Sequence, residues 1–157
     1  MAWPHRLAGK AARLFWFVTR PRTLGVRAIA FDPEGRVALV RHTYLHGWYL
    51  PGGGVKKGES AMAAIRLELA EEVGIAEYRV ECVLGAYHAR VEHKDDHVIV
   101  YVVQVPAGAA GSLRGADALE IAEAAWFPLD RLPDGLSPAT RRRLDEFRSG
   151  AVADGDW

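Results

Sequence analysis

Apolar positions recur along this chain at two distinct spacings. Leu7, Ala11, Leu14, Phe15 and Val18 fall three and four residues apart, with Arg6, Lys10 and Arg13 on another face. That spacing predicts an amphipathic helix over residues 4–18, ended by Pro21. Residues 24–31 and 36–41 are instead dense in apolar and β-branched side chains, and Asp32, Pro33, Glu34 and Gly35 between them supply a turn. A hairpin is the natural reading. Residues 46–50 lead to Pro51 and the run Gly52, Gly53, Gly54. From about residue 60 to 73 the spacing returns to helical, with Met62, Ile65, Leu69 and Val73 as its apolar stripe and Gly74 as C-cap. Residues 78–87 and 97–105 read as strands joined by the charged segment 90–96, and residues 106–115 as a loop. A short strand at 124–127 follows, and Ser137-Pro138 opens a last helix with Ser at N-cap and Pro at N1. This order predicts a mixed α/β or α+β domain over residues 23–149. A helix and linker at 1–22 precede it and a tail at 150–157 follows.

Composition narrows the function classes. The 157 residues suit one domain with a substantial core. Twenty basic residues balance twenty acidic ones, so no charge excess points to nucleic acid or an anionic membrane as partner. The single cysteine, Cys82, can form no internal disulfide; it alternates with Val80 and Leu84 and reads as a core position. The N-terminal apolar run, residues 14–18, is far below the roughly 20 residues that a bilayer needs. Thr19-Arg20-Pro21-Arg22 follows it in place of a small-residue cleavage site. A cytoplasmic protein is expected. Its N-terminal helix is expected to pack on the domain or on a second copy in a homodimer, with a membrane-surface role as the lesser alternative.

The chemistry concentrates between Gly53 and Ile75. Glu68, Glu71 and Glu72 stand at i, i+3 and i+4 and so share one face of a helix. Like charges at this spacing repel by about 0.2–0.5 kcal/mol per pair. A hard cation with a taste for oxygen ligands, Mg²⁺ above all, relieves that repulsion. Alone, the cluster is more often a solvated acidic face, since exposed charge clusters are common. The glycine run leading into the same helix shifts the balance, because loop amides at a helix N-terminus face phosphate oxygens. A residue without Cβ also brings its own carbonyl close to a metal.

In these residues the chain resembles the Nudix, or MutT-like, family. The family's box reads glycine, five residues, Glu, seven residues, Arg-Glu, aliphatic, any, Glu-Glu, any, glycine, aliphatic. Gly53, Glu59, Glu68, Leu69, Glu71, Glu72, Gly74 and Ile75 stand at the matching positions, and residues 48–52 look like the usual lead-in. The resemblance implies an α/β/α sandwich and hydrolysis of a diphosphate linkage in a small nucleotide, with Mg²⁺ or Mn²⁺ as cofactor. It implies Glu68, Glu71, Glu72 and the Gly53 carbonyl as metal ligands and Glu59 as a fifth group completing or buttressing the site. Glu68 is the implied base, and Glu120 and Glu123 are the candidates for a loop glutamate that takes this role in some members. One position departs. The box arginine, which orients and neutralises a catalytic carboxylate, is Leu67 here, and Arg66 points about 100 degrees away around the helix. A nucleotide-binding module of the same fold without turnover is the alternative that Leu67 raises.

Weaker candidates complete the reading. Trp48 and Tyr49 are placed to stack on a base, against core packing as the plainer role. Lys56 and Lys57 flank the glycines and have phosphate as a candidate partner. His42, His46, His88, His93 and His97 lack the spacing of a histidine-bound zinc. Arg141, Arg142 and Arg143 read as the exposed face of the last helix. Subfamily markers beyond the box do not choose among nucleoside triphosphates, dinucleoside polyphosphates and nucleoside diphosphates linked to other groups.

Overall fold

The structure, a computed structural model, describes residues 22–91, 94–115 and 118–157. The helix expected over residues 4–18 lies outside them. In chain order the elements are β1 (Arg22–Phe31), β2 (Arg36–His42), α1 (Ala61–Val73), β3 (Arg79–Val91), β4 (Lys94–Gln104), β5 (Ile121–Pro128) and α2 (Pro138–Ser149). The strands form one sheet in the order β3-β4-β1-β2-β5. β1 and β4 run parallel, and the other neighbours are antiparallel. Val26, Ala28, Ala38 and Val40 face α1 with Ile65 and Leu69, while Ile29, Leu39 and Trp48 face the other way with Leu144 of α2. The result is a helix, sheet, helix sandwich of α+β type.

Short-range chemistry accounts for the first hairpin and for α1. Asp32, 1% exposed, accepts from the Arg36 amide at 2.7 Å and from its Nε at 2.6 Å, and Gly35 takes φ 75°. Ser60 caps α1 by accepting from the Ala63 amide at 3.1 Å. Gly74 ends the helix at φ 72°, and the Ile75 amide reaches back to the Leu69 carbonyl at 2.9 Å. Of the expected stripe, Ile65, Leu69 and Val73 are buried with Ala64, but Met62 is exposed; Ala61 packs against the core in the first turn instead.

Past their turn, β1 and β2 separate, and residues 49–55 fill the gap through main-chain bonds. Tyr49 and Val40 exchange two, at 2.9 and 3.0 Å. Ala28 donates to the Pro51 carbonyl and Val26 to that of Gly53, both at 2.9 Å, and Val55 donates to Leu24 at 2.7 Å. A Cβ on Gly52 (φ 140°) would lie 2.1 Å from the Val26 carbonyl oxygen, so only glycine fits there. The glycine run is thereby a rigid insert in the sheet rather than a free loop.

Three expectations are corrected at the far edge. Cys82 is exposed, because the β3–β4 register shifts between Val80 and Cys82 and again between Val83 and Gly85. Val80 accordingly joins the α1-side core and Leu84 the α2-side core, despite their even spacing. The β3–β4 ladder also runs into the charged segment expected to be a connection, with Ala89 opposite Asp96. Backbone pairing of β4 to β1 on its other side, from Asp95 onward, holds these polar residues without an apolar pattern. Arg143 is fully buried, with its guanidinium 3.8 Å from the Tyr87 ring centroid. It donates to the Asp156 carbonyl at 2.6 Å and to Glu146 at 2.8 Å, whereas Arg141 and Arg142 are exposed. Residues 150–157 run along the outer edge of β3, where His88 donates to Gly155 at 2.7 Å and accepts from the Trp157 amide at 3.0 Å. Among the described residues, no helix is long and apolar enough to cross a membrane.

Candidate active site

α1 turns its three glutamates into three environments. Glu71 faces solvent, Glu68 is half-buried, and Glu72 is 6% exposed on the flank toward the sheet. The Gly52 amide donates to Glu72 Oε2 at 2.7 Å, and His42 Nε2 lies 3.7 Å from its other oxygen. Burial pushes the Glu72 carboxyl up to about 7, against the Gly52 amide and the Arg27 charge, which pull it down. Glu68 is pushed up as well, by burial and then by Glu71. Its carboxylate lies over Gly53: a Cβ there would be 2.3 Å from Glu68 Oε1. The Gly53 carbonyl accepts from Val26, which leaves its second lone pair.

Arg27 and His42 stand behind this face. The Arg27 guanidinium donates to the Gly52 carbonyl. Burial lowers its pKa, opposed first by Glu72 and then by Glu68. His42, at the end of β2, is held below its ordinary pKa by burial and by Arg27, so its contact with Glu72 is that of a neutral imidazole at neutral pH. Its buried Nδ1 has no hydrogen-bond partner among the described residues. Tyr44, largely exposed, sets its ring 5.3 Å from His42, and Tyr49 sets its own 6.0 Å away.

The two loop candidates part company. Thr43 donates to the Glu120 carbonyl at 2.9 Å, and the Tyr44 hydroxyl donates to the Glu120 carboxylate at 3.1 Å. Glu120 thus stands at the His42 end of the site, and its charge raises both Glu68 and Glu72. Glu123 pairs with Arg41 at 2.8 Å, and that guanidinium lies 5.9 Å from the Trp48 ring centre, on the α2 side of the sheet. Trp48 itself is 9% exposed and packs against Phe127 at 4.8 Å between ring centroids. Tyr49 borders the α1-side core, with its hydroxyl on the His46 carbonyl at 2.8 Å. Glu59 accepts from the Lys56 amide at 2.9 Å and so closes the turn before α1, with Lys56 and Lys57 exposed beside it.

The donors on this face are all oxygen, the set that suits a hard divalent cation, and Gly53 leaves room that any side chain would fill. Among the described residues no three carboxylate, histidine or cysteine side chains close into a cage. A cation bound here would need further oxygens, such as those of substrate phosphates and water, to complete its shell. Sequence reasoning missed Arg27 and Tyr44 and met His42 only as a zinc candidate. A signal for Arg27 existed: it is the one charge within the apolar run of residues 24–31, where burial requires a partner.

A carboxylate helix set against a glycine insert, under a mixed sheet, is thus the frame on which the site is built. The NUDIX domain family model matches residues 21–147. A Bacillus subtilis protein named an 8-oxo-dGTP diphosphatase is 30% identical over 133 residues, covering 82% of each chain. An RNA pyrophosphohydrolase of Hahella chejuensis is 42% identical over 60 residues, which are 38% of this chain and 37% of that one. The crystal structure of a MutT NUDIX hydrolase from Burkholderia pseudomallei superposes with a TM-score of 0.65 at 30% identity, covering 80% of this chain and 97% of that one. The chain belongs to the Nudix family of pyrophosphohydrolases.

Proposed function

We propose that this enzyme hydrolyses the diphosphate linkage of a nucleoside triphosphate or a nucleoside diphosphate derivative with Mg²⁺ or Mn²⁺ as cofactor. The observation that carries this reading is the stacking of Glu68 and Glu72 against Gly52 and Gly53, since it crowds acidic oxygens where no apolar packing compensates them. Glu68, Glu71, Glu72 and the Gly53 carbonyl would hold the cation, and Glu59 acts at one remove by fixing the turn that starts α1. When bound, the cation supplies neutralisation of the diphosphate and activation of the attacking water. Glu68, next to Gly53 and with its carboxyl pushed up by burial and by Glu71, is suited to accept a proton from that water. Glu120 is the second carboxylate of choice; Glu123 is already paired to Arg41 on the opposite face. Tyr44 and Tyr49 offer aromatic faces for a base better than the packed Trp48 does.

The test is turnover with Mg²⁺ or Mn²⁺ against a panel that includes 8-oxo-dGTP and RNA, the substrates in the two relatives' names. Release of pyrophosphate, phosphate or a mononucleotide that stops with chelator is expected. Tight nucleotide binding without turnover across the panel would establish the binding-module reading instead.

A further inference from the structure

We propose that Arg27 is a positioning residue, which supplies from β1 the positive charge that position 67 of α1 lacks and holds Glu72 in place through Gly52. The inference rests on the hydrolase reading above. Its geometric core is one residue gripped from both ends. Arg27 donates to the Gly52 carbonyl, and the Gly52 amide donates to Glu72 Oε2 at 2.7 Å. Gly52 cannot slip out of this grip, because its backbone abuts β1 at Arg27 itself: a Cβ there would be 2.9 Å from the Arg27 Cα. The carbonyl and the amide of Gly52 belong to successive peptide planes that meet at its Cα, so fixing the one fixes the aim of the other at Glu72.

The chemical environment points the same way. Val26, Ala28, Ile29 and Ala30 around Arg27 are fully buried, so a guanidinium at this point of β1 is costly unless carboxylates answer it. Glu72 and then Glu68 are the carboxylates that do. Leu67 lies 38% exposed on α1 and adds no charge to the same face. A positive charge approaching the glutamates from the sheet thus does what an arginine on the helix would do from the solvent side.

Arg27→Gln, Arg27→Lys, Leu67→Arg and the double variant Arg27→Gln/Leu67→Arg test this, read by melting with and without Mg²⁺ and by kcat and KM separately. Without the Arg27 charge the empty site feels its carboxylate repulsion in full, so Mg²⁺ should raise the Tm of Arg27→Gln by more than that of the parent. Arg27→Lys should keep the parental Mg²⁺ shift, and Leu67→Arg should return the shift of Arg27→Gln toward it. At saturating nucleotide, kcat of Arg27→Gln should fall by about 10–100-fold, the usual cost of losing a group that orients a metal ligand. KM should change less, and Leu67→Arg should restore part of kcat. Equal Mg²⁺ shifts in parent and Arg27→Gln, or a loss that neither Arg27→Lys nor Leu67→Arg recovers, would mean plain strand packing and overturn the proposal. If Arg27→Gln folds only with Mg²⁺, the proposal stands; if it folds in neither condition, it falls. Should the parent turn over no nucleotide, the hydrolase reading fails, and the Mg²⁺ melting shifts still decide the role of Arg27.

Discussion

Glu72 carries most of the site's electrostatic tension, since burial lifts its carboxyl to about 7 while the unfolded chain titrates it near the ordinary 4.5. A carboxyl raised on folding favours the folded state when protonated. That contribution is fully present below about 4.5 and is lost as pH rises through about 7, at about 1.4 kcal/mol for each pH unit crossed between the two values. The metal-free protein should therefore lose Tm between pH 5 and 8, and Glu72→Gln, neutral throughout, should flatten that slope. Mg²⁺ needs the carboxylate, so its stabilising effect should grow across the same window with release of a proton, measurable by calorimetry in two buffers. Glu72→Gln should also cut turnover by orders of magnitude without unfolding the protein; near-parental activity at limiting Mg²⁺ would remove Glu72 from the ligand set. Leu67, 38% exposed, has room for a longer side chain. Leu67→Arg, at i, i+4 to Glu71 and next to Glu68, should stabilise the metal-free protein by roughly 0.2–0.5 kcal/mol, the scale of a helical ion pair. A variant less stable both with and without Mg²⁺ would show the leucine to be a packing residue.

At the scale of elements, the site is the junction between α1 and the insert of residues 49–55, and two neighbouring glycines there answer to different constraints. At Gly52 an added Cβ meets main chain, 2.1 Å from the Val26 oxygen, and the φ of 140° is strained for any other residue. Gly52→Ala should cost about 1–3 kcal/mol in backbone strain alone, with the clash in addition, and show as a large drop in Tm. At Gly53 the added atom meets only the Glu68 carboxylate, which can swing aside. Gly53→Ala should melt near the parent yet lose turnover, because the displaced group is the proposed base; full activity would argue against that role for Glu68. The helix, its C-cap and the hairpin turn were legible in sequence, since Gly74 and Asp32 act on backbone within a few residues of themselves. The insert was not. Its bonds to Val26, Ala28 and Val40 join main chain to main chain and leave no side-chain pattern to read.

Across the whole molecule, the second helix and the chain's last residues stabilise the face of the sheet away from the glutamates. Arg143, buried against Tyr87, directs one donor to the Asp156 carbonyl, and residues 155–157 bridge to His88 along the open edge of β3. Deleting residues 152–157 should destabilise the protein by at least about 1–3 kcal/mol, the cost of a buried donor left unpaired. It should leave kcat unchanged well below the new Tm, and a loss of kcat there would tie this edge to the site. By itself the sequence determined the α+β class, the glycine run and the single face shared by Glu68, Glu71 and Glu72, because helix periodicity and capping are set by residues a turn apart. Only the tertiary structure decided that Glu120 approaches those glutamates while Glu123 pairs away from them with Arg41. It alone brought Arg27 and His42 behind Glu72 and turned Cys82 outward. The reason is physical: bulges reset which face a strand residue takes, and the partners of a buried charge are chosen by pairings dozens of residues apart in the chain.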